Sequence, residues 1–163
     1  YPAEFVYGLL SNKWLTENFS GEIGIIGGKE KLKLIKELIK HERYKEYLNL
    51  EEFSDYIEVP QKFAADNINK LRLDIEKQLK NNNSKIFLYG IGHAKSGISH
   101  LFPKYKKAVY LDVGSGIDAL AGIIDKNRPY FGSWSNFKIS NKEMYKKIDY
   151  LNFNFDGTEI LLN

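Results

Sequence analysis

Two short apolar segments, each followed at once by a glycine-rich turn, are the feature that most constrains this sequence. Residues 86–89 (IFLY) precede residues 90–97 (GIGHAKSG), and residues 108–113 (AVYLDV) precede residues 114–118 (GSGID). A strand that ends in a glycine-rich turn and then a helix is typical of α/β domains, in which such turns approach phosphate groups. The two segments therefore predict successive strand–turn–helix units that share one ligand-binding edge.

The chain up to residue 125 repeats the same alternation. Predicted strands occupy residues 22–26, 56–59, 86–89 and 108–113, and predicted helices occupy residues 29–41, 63–80, 95–102 and 117–124. Pro103 is expected to end the third of these helices. Alternation of this kind predicts an α/β fold, a Rossmann-like and mostly parallel sheet with helices on both faces. The turns after the strands then gather at one edge, where such sheets bind ligands.

Residues 1–149 are predicted to form one domain, with a helix within residues 1–20 packed on it. Residues 150–163 are predicted to form a hairpin that turns at Asp156-Gly157, or the start of a further segment. Because the chain begins without Met, we expect a domain taken from a longer protein.

Composition argues against several classes of function. Lys and Arg number 24 against 21 Asp and Glu, and the lysines are spread along the chain, so no basic stripe indicates nucleic acid. Because the chain has no Cys, disulfides and Cys-ligated metals are excluded. No signal peptide is visible, and no run approaches the roughly 18 apolar residues of a membrane span. The expected compartment is the cytoplasm.

The first turn contains groups suited to a phosphate. Its glycines are Gly90, Gly92 and Gly97, and Lys95 and Ser96 add a cation and a hydroxyl. Backbone N–H groups at the start of the following helix would meet the anion. The alternative is a tight turn that only lets the helix pack closely on the sheet. The turn is not a P-loop, because its glycines are out of register with Lys-Ser.

Two histidines lie near this turn. His93 lies inside it and is a candidate for contact with a ligand or for a general base. His100 lies farther into the predicted helix and is interpreted as structural.

The second turn is flanked by carboxylates. Gly114, Ser115 and Gly116 form its predicted ligand-binding backbone, and Asp112 and Asp118 lie on either side. Carboxylates at such an edge bind ribose hydroxyls, hold a divalent cation or act as a base. The alternative for Asp118 is an N-cap on the next helix.

Two other acidic positions receive no role in binding. Asp125 is interpreted as a surface residue at a helix end. Asp74-Ile75-Glu76 matches an Asp-x-Glu metal motif in letters, but it lies in the middle of a predicted helix, on its outer face.

Residues 111–116 (LDVGSG) are similar to the first motif of S-adenosylmethionine-dependent methyltransferases, an acidic strand end followed by Gly-x-Gly. In that family most of the sheet follows the motif, whereas little chain follows it here. A circular permutation would remove this objection, so a methyltransferase stays an alternative.

Residues 128–134 (RPYFGSW) form a predicted loop rich in aromatic side chains. Aromatic rings with an Arg can stack on a base or sugar and hold a phosphate. The alternative is a segment that packs over the sheet.

Roughly residues 22–125 resemble the carboxyl-terminal half of GT-D fold glycosyltransferases. In that family a strand leads to a glycine turn with a small hydroxyl residue, and a second strand ends in an Asp-Ile-Gly-His-like turn that carries another Asp. The matching residues are Gly90, Gly92, Lys95, Ser96, Asp112, Gly114 and Asp118.

The resemblance implies a domain that binds a nucleotide-sugar, with UDP as the expected nucleotide, and transfers the sugar to a glycan or other hydroxyl acceptor. It also implies a divalent cation, Mn²⁺ or Mg²⁺, and further domains in a longer chain. The sequence departs from the family at Ser115, where the family has His, and it lacks an Asp-x-Glu motif before residue 22. A non-catalytic α/β module of a glycan-assembly protein therefore stays a second alternative.

Overall fold

A four-stranded parallel sheet lies at the centre of the computed structural model, which describes residues 9–10, 12–60, 64–125 and 158–160. Its strands are β1 (Ile23–Gly28), β2 (Asp55–Val59), β3 (Ile86–Gly90) and β4 (Val109–Asp112). The strand order is β2-β1-β3-β4, and every neighbouring pair is parallel. The α/β, Rossmann-like fold predicted from the sequence is confirmed.

Helices precede, connect and follow these strands. They are α1 (Trp14–Phe19), α2 (Lys29–Leu38), α3 (Glu42–Leu48), α4 (Ile68–Lys80), α5 (Lys95–Ile98), α6 (Phe102–Tyr105) and α7 (Gly116–Leu120). Two 3-10 turns, Gly92–Ala94 and Ser99–Leu101, flank α5. None of the described helices is long and apolar enough to cross a membrane.

The sheet separates two hydrophobic clusters because successive side chains of a strand point to opposite faces. Ile25 and Leu88 pack with residues of α2, α3 and α7, on what we call the α2 face. Ile26 and Phe87 pack with residues of α4, α5 and α6, on the α4 face. Burial of each such side chain stabilises the fold by about 1.5–3 kcal/mol. The prediction of helices on both faces is confirmed.

The connections that follow β1 and β3 lead to opposite edges of the sheet. From β1 it crosses the α2 face to β2, and from β3 it crosses the α4 face to β4. The carboxyl ends of β1 and β3 therefore form a topological switch point, the place where open α/β sheets bind ligands.

The predicted helix over residues 117–124 is wrong beyond α7. Gly122 adopts a left-handed φ of 73°, which ends the helix. The next residues form a short strand, β5 (Ile123–Asp125), paired antiparallel with β6 (Thr158–Ile160). Asp125 therefore lies at the end of a strand and not of a helix.

Two other predicted helices have different bounds. The helix predicted from residue 63 begins at Ile68, because the Asn67 side chain accepts a hydrogen bond from the Lys70 N–H and caps it. The helix predicted over residues 95–102 breaks at the second 3-10 turn. Pro103 does not end it but lies in the first turn of α6, where its missing N–H costs nothing.

Some predictions lie outside the described residues. These are the first part of the N-terminal helix (residues 1–8 and 11), the aromatic loop (residues 128–134) and most of the carboxyl-terminal hairpin (residues 150–157 and 161–163).

Candidate functional site

The two glycine-rich turns touch at the carboxyl edge of the sheet. A methyl group added to Gly90, the last residue of β3, would lie 2.2 Å from the Gly114 carbonyl oxygen and 2.6 Å from Ile117 Cγ1. At Gly27, near the end of β1, it would lie 3.0 Å from Ile117 Cγ2. The missing side chain of Gly90 is thus what lets the second turn lie directly on β3.

The other glycines of the turns have different tasks. Gly92 (φ 57°) and Gly114 (φ 51°) adopt the left-handed conformation that other residues rarely adopt. Gly97 is exposed within α5, and Gly116 is buried at the start of α7. Only part of the predicted glycine set therefore lies where a ligand would reach it.

Asp112, at the end of β4, connects the two turns through its carboxylate. Lys95 Nζ lies 2.7 Å from Asp112 Oδ2, and the Gly114 backbone N–H donates to Oδ1 at 2.9 Å. The hydrogen bond with Asp112, and then its negative charge, raise the pKa of Lys95. Because the Lys95 side chain is 45% exposed, this pair positions the ammonium group more than it stabilises the fold.

Tyr89 and Ser99 lie beside this pair, although neither was among the site residues predicted from the sequence. Tyr89 is the register partner of Asp112, so both side chains lie on the α4 face. Burial, and then the charge of Asp112, raise the pKa of the Tyr89 hydroxyl, and a hydrogen bond with Ser99 partly offsets this. Tyr89 and Asp112 occupy equivalent positions at the ends of neighbouring strands. This equivalence could have identified Tyr89 as a candidate site residue from the sequence.

Asp118 forms a separate ion pair on the α2 face. It lies in the first turn of α7 and contacts the ammonium of Lys31, which lies in the first turn of α2. The Asp118 Oδ1 atom is buried, and the Lys31 ammonium in contact with it compensates its charge. The N-cap residue of α7 is Ser115 rather than Asp118.

The two candidate carboxylates therefore do not share a site. Asp112 and Asp118 lie on opposite faces of the sheet, each beside its own lysine. Among the described residues, no group of three or more His, Cys, Asp or Glu side chains could hold a metal ion. A divalent cation does not fit this pair of carboxylates.

The remaining candidates line the outer surface of the first turn. His93 lies in the 3-10 turn and Ser96 in α5, and both are exposed. His100 is also exposed, in the second 3-10 turn. Since α5 has only four residues, its dipole is small, and the positive charge of this turn comes from Lys95.

The edge as a whole carries a Lys–Asp ion pair on each face beside two touching glycine turns. Both the ammonium groups and the turn N–H groups are suited to an anionic ligand. No family model, no curated protein and no solved structure matches the chain.

Proposed function

We propose that this domain binds a nucleotide-sugar, expected to be a UDP-sugar, and acts as a GT-D-like glycosyltransferase on a glycan or other hydroxyl acceptor. The observation that carries the proposal is the contact between the Gly90 and Gly114 turns, with Lys31 and Lys95 on either side. The resemblance of residues 22–125 to GT-D enzymes supplies the choice of ligand.

Lys95 is the expected contact for the diphosphate. An ammonium group has three N–H donors, and the bond to Asp112 uses one of them, so others remain for phosphate oxygens. Backbone N–H groups of the turn around Gly92 would add further donors. Phosphate binding therefore does not require that Lys95 leave Asp112.

The proposal assigns charge neutralisation to lysines rather than to a metal ion. Asp112 and Asp118 each face a lysine on opposite faces of the sheet, and this arrangement does not present a joint set of oxygen ligands. Of the three candidate bases, His93 is the one without an ion pair among the described residues. We therefore assign the activation of the acceptor hydroxyl to His93.

The methyltransferase alternative is weaker in this geometry. Each Asp112 oxygen already has one partner, Lys95 or the Gly114 N–H, so ribose hydroxyls would have to share the carboxylate with them. The strand that carries Asp112, β4, is an edge strand of the described four-stranded sheet. The non-catalytic module shares the proposed binding site and differs only in lacking the transfer step.

Calorimetric titration tests the proposal. UDP-, GDP- and TDP-sugars are titrated with and without Mn²⁺, and S-adenosylhomocysteine is titrated in parallel. We expect binding of a UDP-sugar that does not depend on Mn²⁺. Lys95→Gln should weaken it by about tenfold or more, since a hydrogen bond to a charged group contributes about 1.5–3 kcal/mol.

Lys104→Gln is the matched control, because Lys104 is an exposed lysine on α6 and belongs to neither turn. It should leave the affinity unchanged. If no nucleotide-sugar binds at millimolar concentration, or if the two variants behave alike, the proposal is wrong. Binding of S-adenosylhomocysteine alone would favour the methyltransferase.

A further inference from the structure

A second concave region opens beside β2, away from the Gly90 and Gly114 turns. It is a cleft of about 530 Å³ between the start of α2, the end of β2 and the outer side of α4. Besides Val59 and Pro60, its lining residues each carry a polar or charged group: Lys29, Glu58, Asp74, Lys77, Gln78 and Asn81. The volume is in the range of small-molecule sites.

Hydrogen bonds fix one wall of this cleft. The Gln78 carboxamide accepts from the Glu58 backbone N–H and donates to the Glu58 carbonyl oxygen, both at 2.9 Å. The Glu58 carboxylate lies 3.3 Å from Lys36 Nζ. Asn81 donates to the Lys77 carbonyl oxygen at 3.2 Å, so the Asn81 side-chain oxygen remains an acceptor. The wall is thus held in place before any ligand binds.

The chemistry of the lining indicates the class of ligand. Two carboxylates, two ammonium groups and two carboxamides offer both acceptors and donors, and Lys36 neutralises the Glu58 carboxylate from outside the cleft. Asp74 is exposed and has no ion pair or hydrogen bond among the described residues, so its oxygens are available. Hydroxyl groups both donate and accept, so a neutral ligand rich in them can use both kinds of group.

We propose that the cleft binds an uncharged saccharide. If the proposed function holds, on which this part rests, the saccharide is the acceptor of the transferred sugar. Lys29 follows Gly27-Gly28 directly, so the cleft begins where β1 reaches the topological switch point. The acceptor would approach the donor from the β2 side of the sheet.

Amide chemical-shift mapping on the full chain tests the cleft. The probes are methyl α-glucoside, methyl α-mannoside, methyl β-galactoside, methyl N-acetyl-β-glucosaminide and maltotriose, each up to about 50 mM, which detects millimolar affinities. We expect at least one probe to shift the amides of Asp74, Lys77, Gln78 and Asn81. Asp74→Ala and Lys77→Ala should each weaken that binding by about tenfold.

The matched controls are Asp66→Ala and Lys70→Ala, which change exposed residues of the same charge outside the cleft. Alanine is a good helix former, so the α4 variants should fold. The inference is overturned if no probe shifts the cleft amides, if the test and control variants behave alike, or if a nucleotide binds there instead. Saccharide binding without nucleotide-sugar binding would support the inference about the cleft and refute the proposed function. Nucleotide-sugar binding without saccharide binding would support the proposed function and refute the inference about the cleft.

Discussion

Gly90→Ala is the substitution that most directly tests how the two turns are built. The added Cβ would lie 2.2 Å from the Gly114 carbonyl oxygen, whereas ordinary van der Waals contacts begin at 3.4 Å. The second turn must therefore move by roughly 1 Å. The obstacle is a backbone atom, which cannot rotate away as the end of a side chain can. Overpacking of this kind costs about 1–3 kcal/mol, and we expect the upper end of that range.

Urea unfolding followed by far-ultraviolet circular dichroism measures this cost. With a slope of about 2 kcal/mol per molar urea, a loss of about 3 kcal/mol lowers the midpoint by about 1.5 M. Because the turns separate, the variant should also lose the proposed affinity for a nucleotide-sugar even where it is fully folded.

Gly97→Ala is the matched control. Its Cβ would lie 3.2 Å from Ile68 Cδ1, the flexible end of a side chain, and its position is exposed and helical. Alanine is favoured over glycine in a helix by about 1 kcal/mol, so this variant should be neutral or slightly more stable. The account of the turns is refuted if Gly90→Ala changes the free energy of unfolding by less than about 0.5 kcal/mol.

Two further substitutions test the packing of α7. Tyr44→Phe removes the hydroxyl that donates to the buried Leu120 carbonyl at 2.6 Å, and should cost about 1–3 kcal/mol in thermal or urea unfolding. Burial also raises the pKa of Tyr44, so the folded protein keeps a proton that the unfolded chain releases above about pH 10. The free energy of unfolding therefore falls as pH rises above 10. In Tyr44→Phe this fall should be less steep, by about 1.4 kcal/mol per pH unit. Lys31→Met leaves Asp118 without its cation and should cost about 2 kcal/mol, which Lys31→Met/Asp118→Asn should largely recover.

The predictions for Tyr44→Phe and Lys31→Met can each be contradicted by one measurement. An unchanged alkaline slope in Tyr44→Phe would mean that this hydroxyl titrates in the folded protein as it does in the unfolded chain. Equal stability of the Lys31→Met single variant and its double variant would mean that Lys31 and Asp118 are not coupled.

The sheet was predictable because local signals agreed. The apolar runs before Gly27, Gly90 and Gly114 have strand composition, and strands that alternate with helical segments favour a parallel order. The helix bounds that were predicted wrongly depend on backbone conformations and caps, which the hydrophobic periodicity of the sequence does not encode. The left-handed Gly122 and the cap at Asn67 are two examples.

The partners of the candidate side chains were harder to predict. The spacing of Asp112 and Asp118 along the chain favoured a shared site, but the turn between them carries α7 to the other face of the sheet. Lys31 belongs to a helix far away in sequence, so only the tertiary fold brings it to Asp118. The sequence therefore predicted which edge of the sheet carries the polar groups, but not how they pair.

The central claim is that a nucleotide-sugar binds where the two glycine turns meet. Titration of UDP-glucose and UDP-N-acetylglucosamine, followed by amide chemical-shift mapping, tests it most directly. The account predicts saturable shifts at Gly90, Gly92, Lys95 and Gly114, with or without Mn²⁺, and their loss in Lys95→Gln. It is contradicted if these amides stay unshifted at millimolar ligand, or if the shifts lie elsewhere on the protein.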